Sequence, residues 1–220
     1  MCYTPFISAF TAIIEWVLAL ILIAFYRKSC LTPFFAVLLF LLGLYQASEY
    51  FLCMTERLIW VNIGFIAYSF LPAIGLHSVL HYYNLKRNIL LLYMIPVIYT
   101  AFSLLQPNFV VSGTCMPVFV QAVTTLSLNS HIGWPYMVYY GGFIGGALAV
   151  VWYRYSKIRT ASQKKISLAL IIGILLMTLP TYALIMVLPS FGIMFPSVLC
   201  HFALLLAIFF FWAAYLDARR

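Results

Sequence analysis

The sequence predicts an all-α polytopic membrane protein with seven transmembrane helices, its N-terminus outside and its C-terminus in the cytoplasm. Three observations predict this class. Of the 220 residues, 66% are hydrophobic and only 7% are charged, whereas a soluble domain carries about 25% charged residues. Seven segments approach the length of about 20 apolar residues that a helix needs to cross the hydrocarbon core. The basic residues lie between these segments, almost all on one side.

The seven predicted spans are separated by short polar or charged breaks. We place them at roughly 6–26, 31–53, 58–83, 89–106, 134–156, 166–188 and 191–216. Charged residues follow the first three spans, and Pro189 makes a tight turn before the last one. We find no signal peptide, repeat, linker or soluble domain. Residues 1–220 are therefore expected to form one seven-helix bundle.

The distribution of basic residues predicts the orientation. Lys and Arg are retained in cytoplasmic loops during insertion, and alternate loops contain 11 of the 12 basic residues. These are Arg27, Lys28, Lys86, Arg87, Arg154, Lys157, Arg159, Lys164, Lys165, Arg219 and Arg220. Only Arg57 lies on the other side. The sequence therefore predicts a multi-pass protein of the plasma (inner) membrane, and the net charge of +8 reflects membrane orientation, not a nucleic-acid partner.

The largest segment outside the predicted spans is the outer connection 107–133, which contains no Lys, Arg, Asp or Glu. Its residues 109–113 and 117–120 have the composition of a short β-hairpin. A connection of this length is long for a simple linker. We expect it to fold over the outer mouth of the bundle as a lid, or to enter the membrane interface.

Several polar side chains lie within the spans, toward the outer half. A charged group at the membrane centre costs about 2.5–3.5 kcal/mol and usually faces the bundle interior. Two interpretations stay open: a ligand-binding pocket reached from outside, or hydrogen bonds that only hold the helices in register. Glu15 is the strongest functional candidate and His201 its most plausible partner by depth. The ligand-binding candidates are Glu15, Gln46, Glu49, Asn62, Ser69 and His201.

His77 and His81 are four residues apart, so they share a helix face, as two imidazole ligands of one metal would. A third ligand is needed, and no Glu lies between them to act as the general base of an HExxH motif. The alternative is an interfacial histidine pair beside Tyr82 and Tyr83. No cofactor is identified by the sequence.

The cysteines predicted to lie outside are Cys2, Cys53 and Cys115. The outer face is usually oxidising, which favours one disulfide among them. A Cys53–Cys115 bond would tie the long connection to the second span. A Cys2–Cys115 bond and free thiols are the alternatives, and the absence of CxxC gives no support for a redox motif.

The fifth span contains a doubled small-xxx-small pattern formed by Gly141, Gly142, Gly145 and Gly146. Such residues allow helices to approach closely. We expect one of the two glycine faces to contact a neighbouring helix of the bundle. The other face is a candidate contact for a second protomer in a homo-oligomer, or for a larger membrane complex.

The opening Met1-Cys2-Tyr3-Thr4 and the stretch Gln46-Ala47-Ser48-Glu49-Tyr50-Phe51 resemble a family of uncharacterised bacterial multi-span membrane proteins. That family opens Met-Cys-Phe-Ser and carries Gln-x-x-Glu-Gly in its second hydrophobic segment. The chain departs from these motifs at Tyr3, Thr4 and Tyr50. The resemblance implies no activity and draws attention to Cys2 and Glu49. The layout is also similar to seven-span bacterial sensor regions, whose output here would need a separate partner.

These observations favour a non-catalytic function. We expect a binding, sensing or accessory protein in the lipid bilayer, with an outward-facing polar cavity for a small ligand or lipid group. The first alternative is an ion or small-solute channel or transporter that uses Glu15 and Glu49. The second alternative is an intramembrane metal-dependent enzyme built around His77 and His81.

Overall fold

A computed structural model describes residues 4–85, 88–116, 120–187 and 199–219. Within these ranges the fold is all-helical apart from one β-hairpin. The helices are α1 (Thr4–Phe25), α2 (Thr32–Thr55), α3 (Ile59–Tyr82), α4 (Ile89–Leu105), α5 (Thr125–Leu128), α6 (Ser130–Tyr155), α7 (Ala161–Val187) and α8 (Leu199–Ala218). The strands are β1 (Val110–Cys115) and β2 (Val120–Thr124).

The seven long helices of the described ranges overlap the seven apolar segments predicted from the sequence, and α5 is a single turn in the outer connection. Residues 191–198, at the start of the last predicted segment, lie outside the described ranges. Four of the described helices contain stretches long and apolar enough to cross a membrane. These stretches are Pro5–Phe25, Thr32–Thr55, Ile59–Tyr82 and Ala161–Ala183. Two further apolar helices, α4 and the described part of α8, are shorter. Helix α6 has 26 residues, but its glycines and tyrosines lower its hydropathy.

Local residues explain where several helices begin and end. Helix α2 ends at Thr55, and the next residue, Glu56, has a left-handed φ of 54° and donates its N–H to the carbonyl of Leu52, as is typical of helix C-termini. Helix α4 begins after Asn88, whose side chain accepts a hydrogen bond from the N–H of Leu90, an N-cap arrangement. These polar residues are the same breaks that separate the predicted spans.

Consecutive helices α1, α2 and α3 pack side by side, α7 packs against α8, and α3 packs against both α4 and α6. Helix α8 also contacts α1 and α2, so the last helix returns to the first two. The largest apolar core includes Leu22, Phe35, Leu39, Leu170 and Ala207. The opposite side of α1 exposes large apolar residues, as expected for a surface in contact with lipid. Examples are Phe6, Phe10, Ile13, Val17 and Leu20.

The outer connection contains an antiparallel hairpin, in which Cys115 pairs with Val120. The strand predicted at 117–120 overlaps the described β2 at Val120, and its residues 117–119 lie outside the described ranges. A disulfide joins Cys53 at the end of α2 to Cys115, with a Cα–Cα distance of 5.6 Å. A Cβ on Gly113 would approach Val61 of α3 to 3.1 Å. The hairpin therefore lies against the ends of α2 and α3.

Candidate functional site

The polar residues of α1 face the inside of the bundle. Ser8, Thr11 and Glu15 follow a helical spacing that puts them on one side of α1, and all three are buried. Glu15 has no exposed surface, while Ile13 on the other side of the helix is 58% exposed. The carboxyl group of Glu15 therefore points toward other helices and away from lipid.

Helix α2 supplies the facing polar groups. Gln46 and Glu49 lie one turn apart, and both are buried. The hydroxyl of Ser8 donates a hydrogen bond to Oε2 of Glu49 at 3.3 Å. The N–H of the Trp16 ring donates to the carbonyl oxygen of Phe40 at 3.2 Å. These two contacts define how far α1 and α2 are shifted along each other.

The α1–α2 register brings Glu15 and Gln46 to nearby depths. Counting from the Ser8–Glu49 and Trp16–Phe40 contacts, Gln46 lies opposite Thr11, which precedes Glu15 by one turn. The two polar side chains are thus about 6 Å apart along the helix axes, at about 1.5 Å per residue.

The buried polar atoms of this site are not satisfied within the described chain. Both carboxyl oxygens of Glu15 and both polar atoms of the Gln46 amide are buried without a hydrogen-bond partner among the described residues. Such a group costs about 1–3 kcal/mol, and native proteins contain few of them. No Lys or Arg lies in α1, α2 or α8 to balance the carboxyl groups. We refer to Glu15, Gln46 and Glu49 as the carboxyl site.

Helix α8 lies alongside α1 and runs in the same direction. The ring of Tyr26 contacts Phe211 and Tyr215 at centroid distances of 5.7 and 5.5 Å. Glu15 precedes Tyr26 by 11 residues, and His201 precedes Phe211 by 10. The backbone of His201 therefore lies at about the depth of Glu15, since both helices rise by about 1.5 Å per residue. The side chain of His201 lies outside the described part of the structure.

The other two predicted ligand-binding residues are on α3. The hydroxyl of Ser69 is 3.0 Å from the hydroxyl of Tyr136 on α6, and Tyr139 donates to the Ser69 carbonyl oxygen at 2.7 Å. Ser69 thus belongs to a tyrosine network between α3 and α6. Asn62 has a buried Oδ1 without a partner among the described residues. Tyr136 and Tyr139 are not among the ligand-binding residues predicted from the sequence, although their spacing of three residues puts both on one face of α6.

The two candidate metal ligands on α3 contact aromatic rings. Nδ1 of His77 is 3.0 Å from the hydroxyl of Tyr93, and Phe34 packs against both His77 and His81. The histidine ring centroids are 6.5 Å apart, whereas nitrogen–metal bonds of about 2.1 Å in tetrahedral geometry bring them to about 5 Å. Among the described residues, no group of three or more His, Cys, Asp or Glu is arranged to hold a metal ion.

The glycines of α6 divide into two pairs. A Cβ on Gly141 would lie 2.8 Å from the hydroxyl of Tyr182 on α7, and one on Gly146 would lie 4.0 Å from Leu76 on α3. At Gly142 and Gly145, no atom lies within 4 Å of an added Cβ. The first pair therefore faces helices of the bundle, and the second pair faces outward.

Comparison with known proteins gives no relative. No family model matches the chain, and neither the curated proteins nor the solved structures include a match. The fold and the carboxyl site define a helical bundle with several candidate membrane spans and a buried pair of carboxyl groups between its first two helices.

Proposed function

We propose that the protein is a membrane-embedded binding or sensing protein whose ligand occupies the carboxyl site. The observation that carries this proposal is the presence of four buried polar atoms, on Glu15 and Gln46, without hydrogen-bond partners in the described chain. A carboxyl group inside a membrane must be neutral, paired or hydrated. A ligand that pairs with Glu15 and Gln46 offsets the cost of burying them.

The proposed topology has seven spans in the plasma membrane. The N-terminus lies outside the cell and the C-terminus lies in the cytoplasm. Several basic residues lie against tyrosine rings near the ends of α6 and α8 and the start of α7. For example, Arg154 lies over the ring of Tyr83 and Arg219 lies over the ring of Tyr215. Asp217 accepts a hydrogen bond from Ser29 at the same end of the bundle. The disulfide lies at the opposite end of α2, which is consistent with an oxidising outer face.

The chemistry of the carboxyl site favours a small cationic or hydrogen-bond-donating ligand. Carboxyl oxygens accept hydrogen bonds or bind cations, and the Gln46 amide both donates and accepts. The helices around Glu15 supply no Lys or Arg, so a positive group on the ligand would meet no basic side chain there. Ser8 and Glu49 lie nearer the outer end of the helices, so we propose entry from the outer side.

A thermal-stability assay tests this function. The purified protein in lipid nanodiscs is titrated with sodium, potassium, ammonium or ethanolammonium chloride, with choline chloride keeping the ionic strength constant. A bound ligand raises the Tm in a concentration-dependent way. We expect at least one cation to do so in the wild type and in Glu56→Gln, but not in Glu15→Gln. Glu56 is the matched control because its carboxyl group is exposed at the end of α2. Equal responses in all three proteins would contradict the proposal.

The second candidate function is an ion or small-solute path. Glu15 and Glu49 are both buried at the α1–α2 interface and lie at two depths of it, as successive sites along an ion path would. A flux assay in liposomes separates this function from binding alone. A path through the carboxyl site predicts that Glu15→Gln strongly reduces the flux. Equal flux through the wild type and the Glu15→Gln variant would exclude such a path.

A further inference from the structure

A group of basic side chains lies where α6 ends and α7 begins. Residues 154–165 include five Lys or Arg residues and no Asp or Glu. The guanidinium carbon of Arg154 lies 5.9 Å from the ring centroid of Tyr83, which follows α3, and Nζ of Lys164 lies 6.0 Å from the ring centroid of Tyr155. The second contact brings the first turn of α7 against the last turn of α6. We define the basic surface as Arg154, Lys157, Lys164 and Lys165.

Acidic side chains do not balance the charge of the basic surface. The whole chain has only four acidic residues. Two of them belong to the carboxyl site, and Glu56 follows α2 at the opposite end of the bundle. The fourth, Asp217, accepts hydrogen bonds from the hydroxyl of Ser29 and the N–H of Cys30 at 2.7 and 3.1 Å. Its carboxyl group is therefore held at the turn between α1 and α2, and the basic surface keeps an excess of positive charge.

An exposed apolar face continues from the basic surface along α7. Lys165, Leu168, Leu176 and Leu179 follow a helical spacing that puts them on one side of the helix. The three leucines are 43%, 39% and 63% exposed. They lie within the stretch Ala161–Ala183, which is long and apolar enough to cross a membrane. This side of α7 is therefore amphiphilic, with positive charge in its first turn and hydrocarbon beyond it.

Exposed aromatic rings lie beside the basic surface at the end of α6. Trp152 and Tyr153 are 65% and 57% exposed, and Nζ of Lys157 lies 4.1 Å from the ring centroid of Tyr153. Exposed Trp and Tyr residues at the end of an apolar helix are typical of the membrane–water interface. The basic surface is therefore at the depth of the lipid headgroups when α6 and α7 cross the membrane.

We propose that the basic surface binds the headgroup of an anionic phospholipid, with an acyl chain of the same lipid along the exposed leucine face of α7. Phosphate oxygens form charge-assisted hydrogen bonds with Lys and Arg. Clusters of Lys and Arg next to a membrane helix are typical of anionic-lipid binding. A nucleic acid would match the charges but not the leucines, which is why we favour a lipid. The proposal requires that α7 crosses the membrane and is independent of the ligand at the carboxyl site.

Lipid-dependent thermal stability tests the proposal. The purified full-length protein in dodecyl maltoside is titrated with dioleoylphosphatidylglycerol, with dioleoylphosphatidylcholine, or with glycerol 3-phosphate, which has a phosphate group but no acyl chain. A bound lipid raises the Tm. We expect the anionic lipid to act at about tenfold lower concentration than the zwitterionic lipid, and glycerol 3-phosphate to have no effect. Equal responses to the two lipids, or a full response to glycerol 3-phosphate or to a DNA oligonucleotide, would overturn the proposal.

Charge variants locate the binding surface. The triple variant Lys157→Gln, Lys164→Gln, Lys165→Gln should need about tenfold more of the anionic lipid for the same rise in Tm, because each cation near the headgroup adds to the attraction. Replacing the same three residues with arginine should preserve binding.

The matched control removes three exposed charges from the same end of the bundle but outside the basic surface. It combines Arg27→Gln, Lys28→Gln and Arg219→Gln, and all three of these side chains are exposed. This variant should respond to the anionic lipid as the wild type does. An equal loss of response in the two glutamine variants would show that only net charge matters and would contradict a defined lipid site.

Discussion

The hydroxyl of Ser8 on α1 donates a hydrogen bond to the carboxyl group of Glu49 on α2 at 3.3 Å. This contact links the two helices near the end of α2 that contains Cys53, whereas the carboxyl group of Glu15, two turns further along α1, has no hydrogen-bond partner among the described residues. The two carboxyl groups therefore differ. One takes part in the interface between α1 and α2, and the other belongs to the ligand site that we propose.

The proposed orientation can be checked by labelling single cysteines from outside. In a protein with Cys2, Cys30 and Cys200 replaced by serine, Glu56→Cys should react with a membrane-impermeant maleimide in intact cells, because it follows α2 on the outer side. Lys157→Cys should react only after permeabilisation, because the basic loop 154–165 is retained in the cytoplasm. The reverse pattern would show the opposite orientation, and labelling of both in intact cells would contradict an odd number of spans between Glu56 and Lys157.

Gly43 allows the ring of Trp16 to reach α2. A Cβ on Gly43 would overlap atoms of that ring, so Gly43→Ala should lower the free energy of unfolding by about 1–3 kcal/mol through overpacking. We expect the loss in an SDS titration of the protein in mixed micelles. A second substitution, Trp16→Leu, should recover part of it by removing the clash. Gly142→Ala, where the methyl group meets no atom, should not destabilise. A Gly43→Ala protein as stable as the wild type would disprove the close contact.

The Cys53–Cys115 disulfide should stabilise the outer connection. It closes a loop with a sequence separation of 62 residues, and such a bond contributes about 2–4 kcal/mol. Reduction should therefore lower the Tm of the wild type, while the Cys53→Ser, Cys115→Ser double variant should start at the lower Tm and not respond. Peptide mapping without reductant should give the Cys53–Cys115 pair. A disulfide-linked Cys2–Cys115 peptide would instead support the alternative pairing. Peptide mapping detects this pair even though Cys2 lies outside the described residues.

The sequence predicted most of the helices and the inward direction of Glu15. Hydropathy is a local property, so the positions of the seven apolar segments can be read along the chain. The inward direction of Glu15 follows from the cost of exposing a carboxyl group to lipid and from its shared face with Ser8 and Thr11. The same reasoning predicted Glu49 toward one end of the second span, with Gln46 one turn closer to the depth of Glu15.

The sequence could not predict which residues of similar depth meet. Ser69 was grouped with Glu15, but it faces Tyr136 on α6, because depth along a helix does not define the direction in which a side chain points. The packing of α8 beside α1 is also a long-range property of the bundle.

The stability of a Glu15→Met variant tests most directly whether Glu15 is kept for a ligand. Methionine has nearly the same size and removes the buried polar group. Because Glu15 has no hydrogen-bond partner among the described residues, the variant should unfold at the same or higher SDS fraction than the wild type and lose the cation-dependent rise in Tm. Ser8→Ala, which breaks an observed hydrogen bond, should lose about 1 kcal/mol. A loss of about 1–3 kcal/mol in Glu15→Met would show that Glu15 serves only to hold the helices together.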